Sequence, residues 1–198
     1  MAARHDHQNQ RSHHVPRWSS RLGSSEPRQM RTGATLMEVL YLDFDGVLQP
    51  ADVWWSIKRG AYLDQALEGR GHRLFERCSL LEELLEPYPV VRIVLSTSWV
   101  PTSSYSRATK RLTDSLRRRC IGATFHSRMG RADFEALPRG LQVLADVRRR
   151  RPGRWLALDD VDEGWGDERD NLVLTHGVDG IAHPPVLSDL KAKLLRFC

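Results

Sequence analysis

The sequence has few cysteines and no long hydrophobic run. Its three cysteines, Cys78, Cys120 and Cys198, are far apart in a chain of 198 residues and form no CxxC pair. This number and spacing argue against a disulfide framework and against a cysteine-ligated zinc site. No apolar run approaches the length of a membrane span, and the first residues lack the apolar segment of a signal peptide. We therefore expect a cytoplasmic protein with no membrane partner.

Positive charge is concentrated at the N-terminal end of the chain. Residues 1–36 contain six arginines against two acidic residues and so hold most of the formal net charge of +5. They show neither helical nor strand periodicity, which predicts a disordered basic arm, with one folded domain over residues 37–198. Such an arm can make weak contacts with nucleic acid, or it can simply be solvated. We favour the solvated arm.

One stretch organises the predicted domain. The segment Val39–Leu48 begins as an apolar run and contains Asp43, Asp45 and Gly46. The run predicts a buried parallel strand, and Gly46 allows a sharp turn after it. Aspartates two positions apart lie on the same face of a strand, so these carboxylates converge at its carboxyl end, where open α/β sheets bind ligands. Converging carboxylates repel each other, and a divalent cation is the simplest way to hold them.

Polar residues also follow a second predicted strand. The run Val90–Leu95 leads into Ser96 and Thr97. Hydroxyls at the carboxyl end of a strand suit the binding of phosphate oxygens, although serine and threonine also simply cap helices. Arg139, at the start of a later predicted helix, adds a cation.

A further predicted strand ends in acidic residues again. The run Trp155–Leu158 leads into Asp159 and Asp160. Strands alternating with helices predict an α/β protein with a parallel sheet between helical layers. Two acidic strand ends suit Mg²⁺, and a cation with hydroxyls nearby suits a phosphoryl group. A carboxylate beside magnesium can attack phosphorus. The residues therefore indicate phosphoryl transfer.

The order of these motifs resembles the haloacid dehalogenase-like (HAD) superfamily. The resemblance covers about residues 38–195 and rests on DxDGxL at Asp43–Leu48, Ser96 after a hydrophobic strand, the basic Arg139 and the pair Asp159-Asp160. Within the superfamily, the phrases VLSTSW and WLALDD are most similar to the small HAD domains also found in RNA-repair proteins. The resemblance implies a Rossmannoid three-layer sandwich with a central parallel sheet. The short spacing between motifs leaves no room for a large cap domain.

The resemblance also implies a role for each residue. Asp43 would be the nucleophile, and Asp45 would protonate the leaving oxygen and later activate water. Ser96, or Thr97 or Ser98 if the strand ends later, would hold the transferring phosphoryl group. Arg139 would do so too, where the family more often has lysine. The implied magnesium ligands are Asp43, Asp45 through its main-chain carbonyl, Asp159 and Asp160, and which of the last two binds the metal directly stays open.

The implied activity is that of a magnesium-dependent phosphatase that forms an aspartyl-phosphate. The presence of Asp45 favours a phosphatase, because HAD dehalogenases lack this second acid. The expected partner is a phosphorylated substrate, either a small molecule such as a nucleotide or a nucleic-acid end. Two alternatives stay open here, a nucleic-acid-binding module that retains the fold and a phosphotransferase that uses the same site.

The segments between these motifs carry four further predictions. The segment Gln49–Gly71 is predicted to be an irregular flap over an open site. Its Trp54 and Trp55 could stack on a base or sugar, but we favour packing inside the flap. Apolar residues at helical spacing predict helices over Leu74–Glu86 and over Arg107–Arg119. In the helix that begins near Arg139, the residues expected to face the core are Leu141, Leu144 and Ala145.

Overall fold

The computed structural model describes residues 37–197 of the chain. Five parallel strands form the central sheet, and two more form a hairpin. The strands are β1 (Glu38–Leu42), β2 (Val53–Ser56), β3 (Gly60–Leu63), β4 (Arg92–Leu95), β5 (Cys120–Ala123), β6 (Arg154–Asp159) and β7 (Leu172–Leu174). The sheet has the order β5-β4-β1-β6-β7, so the strand that carries the acidic motif is at its centre.

Helices connect these strands and cover both faces of the sheet. They are α1 (Gln65–Gly69), α2 (Cys78–Leu85), α3 (Trp99–Ser103), α4 (Tyr105–Thr109), α5 (Asp114–Arg119), α6 (Arg131–Glu135), α7 (Arg139–Arg150) and α8 (Pro184–Leu194). Short 3₁₀ helices follow at Gly166–Asn171 and Leu195–Phe197.

The alternation of side chains along β1 divides the core into two layers. Leu40 and Leu42 belong to the larger hydrophobic cluster, to which α2, α5 and α8 contribute buried leucines. Val39 and Tyr41 belong to a second cluster with Val143 of α7. All four β1 side chains are fully buried, and each such burial stabilises the fold by about 1.5–3 kcal/mol. The predicted three-layer α/β sandwich is therefore confirmed.

The segment Gln49–Gly71 differs from the prediction. It contains the antiparallel hairpin β2–β3 and the short helix α1, so it is not irregular. Trp54 and Trp55 lie on the hairpin with 59% and 66% of their surface exposed, so the expectation that they pack inside a flap is wrong. Trp54 pairs with Tyr62 and Trp55 with Ala61 in the antiparallel hairpin. This pairing satisfies backbone hydrogen bonds without burying the indole rings. No large cap domain lies within residues 37–197.

Two predicted helices also differ in the structure. The segment Arg107–Arg119 is divided between α4 and α5, because the chain leaves the helix after Thr109 and a new N-cap forms at Thr113. Helix α2 begins only at Cys78, after Phe75 adopts a positive φ of 59°.

The buried face of α7 is not the predicted one. Leu141 and Ala145 are exposed, Leu144 is half-buried, and the buried positions are Gly140, Gln142, Val143 and Asp146. The polar members have partners in the interior. Asp146 accepts a hydrogen bond from the Tyr41 hydroxyl at 3.0 Å, and Gln142 donates to the carbonyls of Phe134 and Leu137.

Two further predictions concern membrane-spanning segments and the N-terminal arm. In the described part of the chain, no helix has the length and apolar character needed to cross a membrane. The predicted basic arm, residues 1–36, lies outside the described residues.

Candidate active site

The parallel pairing of the sheet places the predicted site residues in one row. β1 pairs with β4 through Leu42 and Leu95, and with β6 through Leu42 and Leu158. One residue further along, Asp43 therefore lies between Ser96 and Asp159 at the carboxyl ends of the strands. Backbone hydrogen bonds hold this row, because Asp43 N donates to Leu158 O at 3.1 Å and Ser96 N donates to Leu42 O at 2.8 Å.

Asp43 is a buried carboxylate with both oxygens in contact with donors. Its Oδ1 accepts a hydrogen bond from the Phe44 backbone N–H at 2.7 Å, and its Oδ2 is 3.4 Å from Arg139 Nη2. Burial raises the pKa of Asp43 above its ordinary value, Arg139 opposes that shift, and the charge of Asp45 adds to it. The carboxylate is thus held in place but is poorly solvated, as suits a nucleophile.

Asp45 points to a different set of partners. Its Oδ1 accepts a hydrogen bond from Gln49 Nε2 at 2.7 Å, and Trp99 Nε1 lies 3.1 and 3.0 Å from its two oxygens. Burial raises the pKa of Asp45, while the hydrogen bonds from Gln49 and Trp99 lower it. A carboxyl group whose pKa is raised above its ordinary value suits a group that gives and takes a proton.

Gln49 and Trp99 are the functional candidates that sequence analysis missed. Gln49 also accepts a hydrogen bond from the Phe75 backbone N–H at 3.0 Å, which fixes its amide toward Asp45. Trp99 packs edge-on against Phe44 and Phe75, so its indole N–H has a fixed direction. A tryptophan directly after a strand-end hydroxyl run was visible in the sequence, but nothing there connected it to Asp45.

The two predicted phosphate-binding hydroxyls differ in their surroundings. Ser96 Oγ is buried, and no hydrogen-bond partner for it exists among residues 37–197. Thr97 is also buried, but its hydrogen bond to Asp43 lowers the pKa of that carboxyl, so its hydroxyl is already engaged. A buried hydroxyl without a partner is costly, and such groups are concentrated at functional sites. Of the two, Ser96 is the one free to bind a ligand oxygen.

Arg139 bridges the acidic residues from the first turn of α7. Its Nη2 is 3.4 Å from Asp43 and its Nε is 3.3 Å from Asp159 Oδ2. Its Nη1 donates to Gln142 Oε1 at 3.2 Å, which orients the guanidinium. The three contacts use three different nitrogens of the planar guanidinium, which the single nitrogen of lysine does not provide.

Three carboxylates form a cluster that fits a divalent cation. Asp43, Asp159 and Asp160 each bring one oxygen within 4.8 Å of the others. Asp159 Oδ2 is buried without a hydrogen-bond partner in the described chain, although it faces Arg139. Hard carboxylate oxygens arranged in this way are the ligands that Mg²⁺ prefers. The residues present therefore fit the metal that the HAD resemblance implies.

The surroundings of this cluster favour added positive charge. Burial is the main cause that raises the pKa of Asp159 and of Asp160, and the negative charge of Asp43 is the next. Arg139 lowers the pKa of both groups but does not restore it to the ordinary range. One arginine therefore does not neutralise the site, and a bound cation would.

Gly46 makes the close approach of Asp160 possible. It has a positive φ of 67°, and a Cβ at this position would clash with the Asp160 carboxylate. The Thr175 hydroxyl donates to Gly46 O at 2.7 Å and holds the turn. The glycine of the DxDGxL motif is therefore needed for both its backbone conformation and its lack of a side chain.

Comparison with known protein families yields a match. A family model described as the HAD domain in Swiss Army Knife RNA repair proteins matches residues 39–186. The matched range contains every site residue described above. No curated protein and no solved structure matches the chain.

Proposed function

Because the chain belongs to the HAD domains of Swiss Army Knife RNA repair proteins, we propose that it is a magnesium-dependent phosphomonoester hydrolase that forms an aspartyl-phosphate. The observation that carries this proposal is the separation of the two motif acids. Asp43 faces Arg139 and the carboxylate cluster, whereas the Asp45 side chain is held by Gln49 and Trp99. Two neighbouring carboxyl groups in different environments suit a nucleophile and an acid–base group.

In the first step, a carboxylate oxygen of Asp43 attacks phosphorus, and the bond between phosphorus and the leaving oxygen breaks. The Asp45 carboxyl gives its proton to that oxygen, so an alcohol departs. Ser96 Oγ and Arg139 bind the non-reacting phosphoryl oxygens, whose negative charge the arginine stabilises.

In the second step, water attacks the phosphorus of the aspartyl-phosphate. The Asp45 carboxylate takes a proton from this water, the acyl phosphate bond breaks, and inorganic phosphate leaves. Asp43 returns as a carboxylate and Asp45 as a carboxylic acid. The hydrogen bonds from Gln49 and Trp99 keep Asp45 in one position through both steps.

The proposed magnesium ligands are the side chains of Asp43, Asp159 and Asp160, together with the main-chain carbonyl of Asp45. When bound, Mg²⁺ supplies positive charge that stabilises the phosphoryl oxygens and reduces the repulsion between substrate and carboxylates. The proposed substrates are phosphomonoesters of nucleotides or nucleic-acid ends, in keeping with the RNA-repair description of the family.

Hydrolysis of p-nitrophenyl phosphate by the full chain tests the reaction class. We expect turnover that requires Mg²⁺ and falls at least ~10³-fold in Asp43→Asn, because the amide is not nucleophilic. Without Mg²⁺, the thermal unfolding midpoint of the variant should not fall below that of the natural chain, since the amide keeps the shape of the carboxyl group and removes a buried charge that repels Asp159.

A panel of substrates, together with a binding assay, separates hydrolysis from nucleic-acid binding without catalysis. If neither the aryl phosphate nor a panel of phosphorylated nucleotides and oligonucleotides releases phosphate, the phosphatase proposal is wrong. Salt-sensitive oligonucleotide binding that survives the loss of both Asp43 and Asp45 would then support the binding-module alternative. Phosphate transfer to an added alcohol, measured beside free phosphate, distinguishes a phosphotransferase.

A further inference from the structure

An open groove begins at Asp45 and extends away from the carboxylate cluster. Its volume is about 850 Å³, and we call it the leaving-group groove. Asp45 and Trp99 line its inner end, and hairpin β2–β3 forms one wall with Val53, Trp55 and Ala61. The cations Arg107, Lys110 and Arg111 also line the groove.

The position of the groove relative to the two acids determines what would enter it. Asp43 attacks phosphorus, and Asp45 protonates the oxygen that leaves. The leaving group must therefore lie on the Asp45 side, which is the side on which the groove opens. The groove residues thus contact the part of the substrate beyond the scissile bond.

The groove carries positive charge that the described chain does not neutralise. Arg107, Lys110 and Arg111 are exposed, and none forms a salt bridge within residues 37–197. Asp45 is the sole carboxylate among the lining residues. Arg111 lies 5.8 Å from the centre of the Trp99 ring, which keeps its charge near the inner end. Such a surface attracts a polyanion.

An exposed aromatic ring also lines the groove. Trp55 is 66% exposed and lines the groove. Trp54, next to it in β2, is 59% exposed and does not line the groove, because successive side chains of a strand point to opposite faces. An exposed indole beside cations suits stacking of a nucleobase, which is worth about 1–3 kcal/mol per base.

We propose that the leaving-group groove binds the end of a single-stranded nucleic acid. The terminal phosphate lies at Asp43, a base stacks on Trp55, and the next phosphodiester contacts Arg107, Lys110 and Arg111. This inference rests on the proposed phosphatase function and deepens it, because it selects strand ends over mononucleotides. A mononucleotide monophosphate places its only phosphate at Asp43 and leaves the three cations unpaired.

Selectivity between substrates tests the groove. The full chain, with Mg²⁺, is assayed on 5′- and 3′-phosphorylated trinucleotides, on the matching mononucleotides and on p-nitrophenyl phosphate. We expect kcat/KM to be at least ~10-fold higher for one trinucleotide than for its mononucleotide, since stacking and phosphate contacts each contribute. The better of the two ends defines the polarity of the strand.

Matched variants identify the residues responsible. Trp55→Ala and the double variant Arg107→Ala/Lys110→Ala should each lower the trinucleotide-to-aryl-phosphate ratio of kcat/KM by about 10-fold. Trp54→Ala, on the other face of the hairpin, and Arg117→Ala/Arg118→Ala, on α5 outside the groove, should leave this ratio unchanged. Equal effects in groove and control variants would overturn the proposal.

A binding measurement provides a readout independent of turnover. Fluorescence anisotropy of a phosphorylated oligonucleotide is measured against salt in Asp43→Asn, alone and with Arg107→Ala/Lys110→Ala. The slope of log K against log[salt] should become less steep by about 0.7 in the combined variant, because both cations contact the same phosphodiester and one single-strand phosphate contact contributes roughly 0.7.

The outcomes separate the two proposals. Magnesium-dependent hydrolysis of the aryl phosphate with no preference for trinucleotides would overturn the groove inference and leave the phosphatase function standing. A preference for an acidic phosphopeptide over both trinucleotides would also overturn it. Absence of any phosphate release would refute the phosphatase function itself, whereas groove-dependent binding in the same protein would retain the groove as a nucleic-acid site.

Discussion

The burial of the Ser96 hydroxyl is not explained by a contribution to stability. Its hydroxyl is buried at the end of β4 with no partner among the described residues, next to Asp43 in the row of strand ends. If the hydroxyl serves to bind phosphate, Ser96→Ala should lower kcat/KM by about 10²-fold, the usual effect of removing one donor to a transferring group. The free energy of unfolding should rise by about 1 kcal/mol, because an unpaired buried hydroxyl is removed and no hydrogen bond is lost.

Thr124 supplies the matched control for this prediction. It is a buried hydroxyl residue that follows the neighbouring strand β5, and its Oγ1 donates to Leu95 O at 3.4 Å. Thr124→Val should therefore reduce stability by about 1 kcal/mol and leave phosphate release unchanged. Urea unfolding and initial rates on both variants check the pair. If Ser96→Ala were the more destabilising and the less damaging to catalysis, the assignment of Ser96 would be wrong.

At the same scale, the sequence predicted those residues whose position depends only on strand register. Asp43, Ser96 and Asp159 each follow an apolar strand, and parallel pairing alone brings them together. Gln49 and Trp99 were missed because their contacts with Asp45 depend on the turn after β1 and on the packing of Trp99 against Phe44 and Phe75. Such contacts have no periodic signal.

At the scale of elements, the turn after β1 determines how close the carboxylates can come. Gly46→Ala should cost more than about 2 kcal/mol, since it adds a clash with Asp160 to the strain of a positive φ. It should also weaken the increase in melting temperature that Mg²⁺ produces, because Asp160 must move. Calorimetry with and without Mg²⁺ measures both effects.

Gly60, the first residue of β3, serves as a control in which only backbone strain is added. Its φ is 69°, and a Cβ there would have no heavy atom within 4 Å. Gly60→Ala should therefore cost about 1 kcal/mol and leave the Mg²⁺ response intact. Equal responses to Mg²⁺ in the two variants would show that Gly46 does not control the position of Asp160.

Helices and strands could be predicted from the sequence where a hydrophobic pattern alone determines them. The central strands β1, β4 and β6 were predicted because an apolar run that leads into polar residues indicates a buried strand. The predicted buried face of α7 was wrong because two of the four buried positions, Gln142 and Asp146, are polar. Asp146 is satisfied by Tyr41 and by salt bridges with Arg149 and Arg150, and Gln142 by two carbonyls. A hydrophobic pattern cannot reveal a buried face built from hydrogen bonds.

At the scale of the whole molecule, the carboxylate cluster lowers stability when no cation is bound. Burial and the charge of Asp43 raise the pKa of Asp159, so the folded state holds this proton more tightly than the unfolded state does. In metal-free protein, the free energy of unfolding should therefore fall as pH rises from the ordinary carboxyl range, near 4, toward the raised folded pKa. We expect a lower melting temperature at about pH 8 than at about pH 6 without Mg²⁺.

Mg²⁺ should reverse this trend, because it binds the ionised carboxylates and competes with protons. Magnesium at about 100 times its Kd would add about 2.7 kcal/mol to the free energy of unfolding, and we expect the gain to be larger at about pH 8 than at about pH 5. Asp159→Asn supplies the control. Since the pKa of Asp159 is raised despite Arg139, removing its charge should stabilise the metal-free protein at the higher pH and abolish most of the Mg²⁺ gain. A Mg²⁺ gain that is equal at both pH values, or that persists in Asp159→Asn, would place the cation elsewhere.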